Sequence, residues 1–264
     1  MHLIGSPSSI TRVLDDINSI SLITLVIDET SNVTREKHTA IYWKRLFKQI
    51  SVCHAIEDIE INQQTQQSWG HEHYSLSISW FLPILKLNKM KRLVINGSAL
   101  SGSDDDFRLL ACAFPKLKEL GVSPGYYSQG RTLACLLYFS QECPDLQEIR
   151  ISLASSVLLN LDAVKKLPPH TIPVNHQHPL KKLYIHSQFG QIQPAQMVQV
   201  AQFLDLIFPN LAILETYSKV RPQLKSQTGQ EFNKPVRLFR LLLGSMDSDK
   251  RHLRRNTASV ESNN

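Results

Sequence analysis

One apolar pattern returns seven times along the chain. It has the form apolar-x-x-apolar-x-apolar, and it occurs as Leu22/Leu25/Ile27, Ile56/Ile59/Ile61, Met90/Leu93/Ile95 and Leu117/Leu120/Val122. It continues as Leu146/Ile149/Ile151 and Leu180/Leu183/Ile185, then weakens to Leu211/Leu214/Thr216. The first anchors stand at 22, 56, 90, 117, 146, 180 and 211, so successive spacings are 34, 34, 27, 29, 34 and 31. A period of this size is the mark of a solenoid, whose units bury their apolar faces only against their neighbours. The short alternation inside each triplet predicts a half-buried β-strand.

Segments with helical spacing lie between the triplets. They predict helices over Ser9–Ile17, Val33–Ile50, Asp104–Phe114, Thr132–Cys143, Ser155–Leu167 and Pro194–Phe208. The unit is therefore strand, loop, helix, and then the next parallel strand. Pro115, Pro144, Pro179 and Pro209 each precede a strand. Proline cannot continue a helix and pushes the residue before it out of the helical region, so it acts as a recurring stop signal. In His178-Pro179-Leu180 the spacer residue found in the other three copies is missing.

The segments Ala-Phe-Pro-Lys-Leu-Lys-Glu-Leu-Gly-Val, Cys-Pro-Asp-Leu-Gln-Glu-Ile-Arg-Ile and Phe-Pro-Asn-Leu-Ala-Ile-Leu-Glu resemble leucine-rich repeats of the long, helix-containing type. Their phrasing is similar to the repeat half of fungal F-box proteins, and the likeness extends over roughly residues 10–217. The resemblance implies an α/β leucine-rich-repeat solenoid of about seven irregular repeats, with strands on one face and helices on the other. It also implies a non-enzymatic module that holds a protein partner, such as a ubiquitination substrate. The F-box of such proteins docks on a Skp-type adaptor. The 21 residues before Leu22 are too few to hold an F-box and contain no Leu-Pro-x-Glu opening, so that adaptor is expected only with an F-box upstream. A leucine-rich-repeat scaffold unrelated to ubiquitin, acting in the nucleus, is the alternative. Regular repeats carry Asn or Cys eight residues after the first anchor. Here those positions read Thr30, Gln64, Ser98, Gly125, Ala154, Gln188 and Lys219, so no asparagine ladder is expected in the turns.

The organisation expected is an N-terminal cap or partial repeat over 1–21 and repeats over 22–217. A C-terminal cap over 218–244 and a disordered basic tail over 245–264 would follow. Within each strand the triplet residues face the core and the intervening residues face outward. The outward positions give the candidate protein-binding residues: Asp58, Glu60, Arg92, Glu119, Glu148, Arg150, Lys182, Tyr184, His186, Glu215 and Tyr217. Asp58 and Glu60 make the early part acidic, whereas Lys182, Tyr184, His186 and Tyr217 make the late part basic and aromatic. Tyrosine and arginine are common anchors of protein interfaces.

Composition narrows the function class. The net charge is +6, but 29 Lys+Arg are interleaved with 23 Asp+Glu, so a nucleic-acid partner is not expected. The four cysteines form no Cys-x-x-Cys pair and read as buried small apolar groups in a reducing compartment. No signal peptide or apolar run of about 20 residues is present, which predicts a cytoplasmic or nuclear protein without a membrane partner. His71-Glu72-His73 and His176-Gln177-His178 lack a third ligand at a recognised spacing, so no metal is expected. Ser103-Asp104-Asp105-Asp106 suits a helix start better than a calcium loop. No fingerprint of a hydrolase, a metalloprotease or a nucleotide-binding enzyme occurs, and neither enzymatic activity nor a cofactor is expected.

Overall fold

A computed structural model describes residues 1–16, 21–30, 39–63, 75–97, 99–122, 131–153, 178–186 and 194–217. The backbone alternates strand and helix. The strands are β1 (His2–Gly5), β2 (Thr24–Glu29), β3 (Asp58–Gln63), β4 (Ser75–Ser77) and β5 (Arg92–Asn96). They continue as β6 (Ala99–Ser101), β7 (Glu119–Val122), β8 (Glu148–Ser152), β9 (Lys182–His186) and β10 (Ile213–Tyr217). The helices are α1 (Pro7–Asp16), α2 (Thr39–Ile50), α3 (Ile78–Phe81), α4 (Asp104–Ala113), α5 (Ala134–Glu142) and α6 (Pro194–Ile207). A 3₁₀ turn over Leu82–Lys86 follows α3.

The strands form an open eight-stranded sheet in the order β1-β2-β3-β5-β7-β8-β9-β10, and every pairing in it is parallel. The two strands missing from that order, β4 and β6, pair in parallel with each other. Each main strand therefore lies beside the next one along the chain. Each connection crosses over and returns the chain to the next position in the sheet, which keeps one face in sequence order.

The triplets form the core. Leu25, Ile59, Leu93, Leu120, Ile149 and Leu183 are all fully buried, as are Ile27, Ile61, Ile95, Val122, Ile151 and Ile185. They join one continuous cluster with Trp43, Phe47, Phe107, Phe139 and Phe208 from the helix-bearing segments. Burial of each such side chain contributes about 1.5–3 kcal/mol. The aromatic packing is direct: Phe47 meets Trp43 at 5.6 Å and Phe81 at 4.1 Å between ring centroids.

Helix ends follow from local chemistry. At α4 the Ser103 hydroxyl accepts from the Asp106 amide while the Asp106 carboxylate accepts from the Ser103 amide, a reciprocal capping box. The helix stops at Phe114, which has φ −120° and ψ 63° before Pro115. Likewise α5 stops at Cys143, with φ −118° and ψ 73°, before Pro144. Each turn then presents one carbonyl to two amides of the next: Lys91 O accepts from Lys118 and Glu119, and Lys118 O accepts from Gln147 and Glu148. Gly97 has φ +85°, and a Cβ there would come within 1.9 Å of the Gln63 carbonyl oxygen, so only glycine lets these two turns approach.

Several differences from the sequence reading have clear causes. The N-terminal segment supplies a strand, β1, paired in parallel with β2; it carries no triplet, with Leu3 packed against the core and Ile4 exposed. Helix α1 packs beside α2 and buries Ile10 and Leu14. Cys53, Cys135 and Cys143 are buried as expected, but Cys112 is exposed, because it falls on the outer side of α4. The expected helix over Ser155–Leu167, the segments 218–244 and 245–264, His71–His73, His176 and the turn positions after Thr30 lie outside the described residues. No helix among the described residues is long and apolar enough to cross a membrane.

Candidate functional site

The outward residues fall into rows because the strands are in register. One row runs Thr24, Asp58, Arg92, Glu119, Glu148, Lys182, Ile213. The next outward row runs Val26, Glu60, Val94, Gly121, Arg150, Tyr184, Glu215. A third holds Asp28, Asn62 and Asn96, then Ser152, His186 and Tyr217 after an interruption at β7. All eleven candidate residues thus occupy adjacent register positions on one face. For His186 and Tyr217 only the strand position is described.

Neighbouring rows are joined by ion pairs. Arg92 bridges Glu60 at 2.8 Å and Glu119 at 3.1 Å. Arg150 bridges Glu119 at 3.0 Å and Glu148 at 2.7 Å, and Lys182 reaches Glu148 at 3.1 Å. The early acidic and late basic stretches thus meet in a single alternating chain, Glu60–Arg92–Glu119–Arg150–Glu148–Lys182. Its members are half-buried except Lys182, which is exposed. Asp58 accepts from the Thr24 hydroxyl at 3.2 Å. The Arg150 guanidinium also lies 5.9 Å from the centre of the Tyr184 ring, which ties the aromatic residue to the chain.

The electrostatics follow from this pairing. Burial works against the Arg92 charge, but the bonds to Glu60 and Glu119 outweigh it and leave its pKa raised. Burial likewise opposes the Glu148 charge, and the bonds from Arg150 and Lys182 outweigh it, so its pKa is lowered. The Lys182 pKa is raised, chiefly by its bond to Glu148. In the centre of the face Val94 and Gly121 lie side by side and are buried although they point outward. A Cβ at Gly121 would stand 3.2 Å from the Val94 methyls.

A second connection was not foreseen. Asn62 donates its amide to Asp28 at 2.8 Å, and Asn96 donates to Asn62 at 2.8 Å. This amide row sits six residues after each first anchor, on the strands, two positions before the turn positions weighed in the sequence. Asn62 is the main cause of a lowered Asp28 pKa, and His2 adds to it through a 2.6 Å contact.

Two further groups escaped sequence reasoning. Arg131 is fully buried, 5.0 Å from the centre of the Phe107 ring, and its nitrogens have no hydrogen-bond partner among the described residues. Burial lowers its pKa to about 10, which still leaves it charged at neutral pH. His178, half of a His-x-His pair, is fully buried with both ring nitrogens engaged. Nothing in the sequence separates either from a surface residue. Among the described residues no three His, Cys, Asp or Glu side chains are grouped to hold a metal.

The face offers paired charges, amides and the Tyr184 ring on a parallel strand scaffold. No protein-family model matches the chain, and neither does any curated protein.

Proposed function

We propose that this chain is a non-enzymatic protein-recognition module, built as an irregular leucine-rich-repeat-like solenoid that holds a protein partner along its outward strand rows. The observation that carries this reading is the register: eight parallel strands follow one another in chain order, and from β2 to β10 two outward rows run unbroken. The partner envisaged is a ubiquitination substrate, with the chain acting as the substrate-binding half of an F-box-like receptor.

Magnitude limits the mode of binding. Strands about 4.8 Å apart make the face roughly 34 Å long, and five residues make it roughly 16 Å wide. That area, roughly 550 Å², is smaller than the roughly 800 Å² per partner of a standard interface. The partner must therefore also touch loops at the strand ends. Because the ion-pair chain is nearly self-neutralised, the partner gains by exchanging pairs with it, not by long-range attraction.

The test compares the chain with an Arg150→Glu/Lys182→Glu variant whose fold is verified by circular dichroism. Affinity purification followed by mass spectrometry should recover partners with the original chain and lose them with the variant. Equal recovery by both would sink the reading. A Skp-type adaptor is expected among the recovered partners only of a chain that carries an F-box.

A further inference from the structure

Three proline turns hold the first anchor of the following strand as Ile56 and Met90 are also held, by an amide bonded to the carbonyl three residues back. The Leu117 amide donates to the Phe114 carbonyl at 3.0 Å, Leu146 to Cys143 at 3.1 Å and Leu211 to Phe208 at 3.1 Å. Each of these turns has the form x-Pro-x-Leu. The turn His178-Pro179-Leu180 is one residue shorter, so the acceptor must come from elsewhere. There the Leu180 amide donates to Nδ1 of His178 at 3.2 Å. The ring replaces the missing carbonyl, much as an Asx side chain caps the amide two residues on.

The other ring nitrogen fixes the tautomer. Nε2 lies 3.2 Å from the Cys143 carbonyl oxygen, which can only accept. Nε2 therefore carries the proton and Nδ1 carries the lone pair, which is the neutral form of the ring. The ring is fully buried and stands edge-on to Phe208 at 5.0 Å.

We propose that His178 is an acid-sensitive latch between the turn after α5 and strand β9. Protonation at Nδ1 would turn an acceptor into a donor facing the Leu180 N–H, break that bond and place a charge beside Phe208. Among the described residues, the neighbouring elements offer the new charge little compensation. Cys143 directs its thiol to the Ala111 and Phe114 carbonyls, with a pKa pushed up to about 12 by burial. Glu142, Asp145, Lys181 and Lys182 are exposed, and Asp205 of α6 is half-buried. Among the described residues no charged side chain bonds the ring. Burial dominates and lowers the His178 pKa, against the carbonyls of Cys143 and Phe139, which raise it.

The direction of the effect follows from linkage. Above the ordinary histidine value of 6.5 the ring is neutral both folded and unfolded, and the latch is intact. As pH falls below 6.5 the unfolded chain takes up the proton first, so stability falls until the folded ring also titrates. Each unit of depression weakens the folding equilibrium tenfold.

The test is the pH dependence of the full chain beside His178→Asn, whose side-chain oxygen can still cap Leu180 but does not titrate. Denaturant midpoints of the original chain should fall between pH 7 and pH 5 more steeply than those of the variant. Exchange of the Leu180 amide, corrected for its intrinsic rate, should rise over the same interval in the original chain alone. The His178 ring proton, followed by NMR in the unmutated chain, should titrate below 6.5. Parallel midpoint curves, or a folded ring that titrates at or above 6.5, would overturn the proposal, and the NMR titration decides it even if the variant fails to fold.

Discussion

Two columns of polar groups cross the strands of this protein, and they differ in how much water reaches them. The outer column is the chain Glu60–Arg92–Glu119–Arg150–Glu148–Lys182, half-buried at best. The inner column joins successive turns. The Cys143 thiol donates to the Phe114 carbonyl at 3.5 Å and His178 Nε2 to the Cys143 carbonyl at 3.2 Å, both buried, and the exposed Asn210 ends the column by donating to the His178 carbonyl at 3.0 Å. Both columns advance one step per strand of the main sheet. Exposed ion pairs are worth about 0–1 kcal/mol and are weakened by salt. Buried neutral hydrogen bonds gain as little when made, but leaving their partners unsatisfied costs about 1–3 kcal/mol. Losing a bond of the inner column should therefore cost more than losing one of the outer column, whose pairs can exchange at low cost.

The largest test removes the support of the inner column. Phe208 packs edge-on against His178 and is itself fully buried. Phe208→Ala should cost about 3–5 kcal/mol through lost transfer energy and the cavity left behind. For a unit of this size each kcal/mol lowers Tm by about 2–4 °C, so calorimetry should show a drop of at least roughly 6 °C. A drop smaller than that of an outer-column variant would invert the comparison. A milder test of the same column is Asn210→Ala, which strips the His178 carbonyl of its amide. The expected loss is about 0.5–1.5 kcal/mol, and it should be the same in low and high salt because the bond joins neutral groups. A salt-dependent loss would show that a charge, not the amide, holds this turn.

The outer column was largely legible in the sequence and the inner one was not. The triplets place Asp58, Arg92, Glu119, Glu148 and Lys182 three residues before the last apolar position of their strands, and the register pairs them in that order. Strand periodicity alone therefore finds the face. It does not find the pairs, because, apart from Arg150 and Glu148 on one strand, the bonded partners lie 27 to 34 residues apart and their contacts depend on side-chain reach. Strand β1 and the small sheet of β4 and β6 escape because each is too short to show a period: Leu76 and Leu100 are the buried residues of three-residue strands. His178 escapes for another reason. A missing spacer before Leu180 is visible in the sequence, but the substitute for its carbonyl is a side chain that spacing rules read as exposed.

The smallest effect, and the sharpest probe of the outer column, is Glu119→Gln. Glu119 joins both arginines, yet each keeps another carboxylate: Arg92 retains Glu60, and Arg150 retains Glu148. The loss at low salt should therefore be about 0.2–1 kcal/mol for the two half-exposed pairs together. At 1 M salt the screening length falls to about 3 Å, comparable with the pair distances, and the variant and the original should converge. Convergence would show that the chain is held by screened Coulomb attraction and is free to exchange pairs with a partner. If the variant instead lost several kcal/mol at every salt concentration, the face would be a rigid structural element like the inner column. The proposal that partners bind by exchanging its ion pairs would then lose its physical basis.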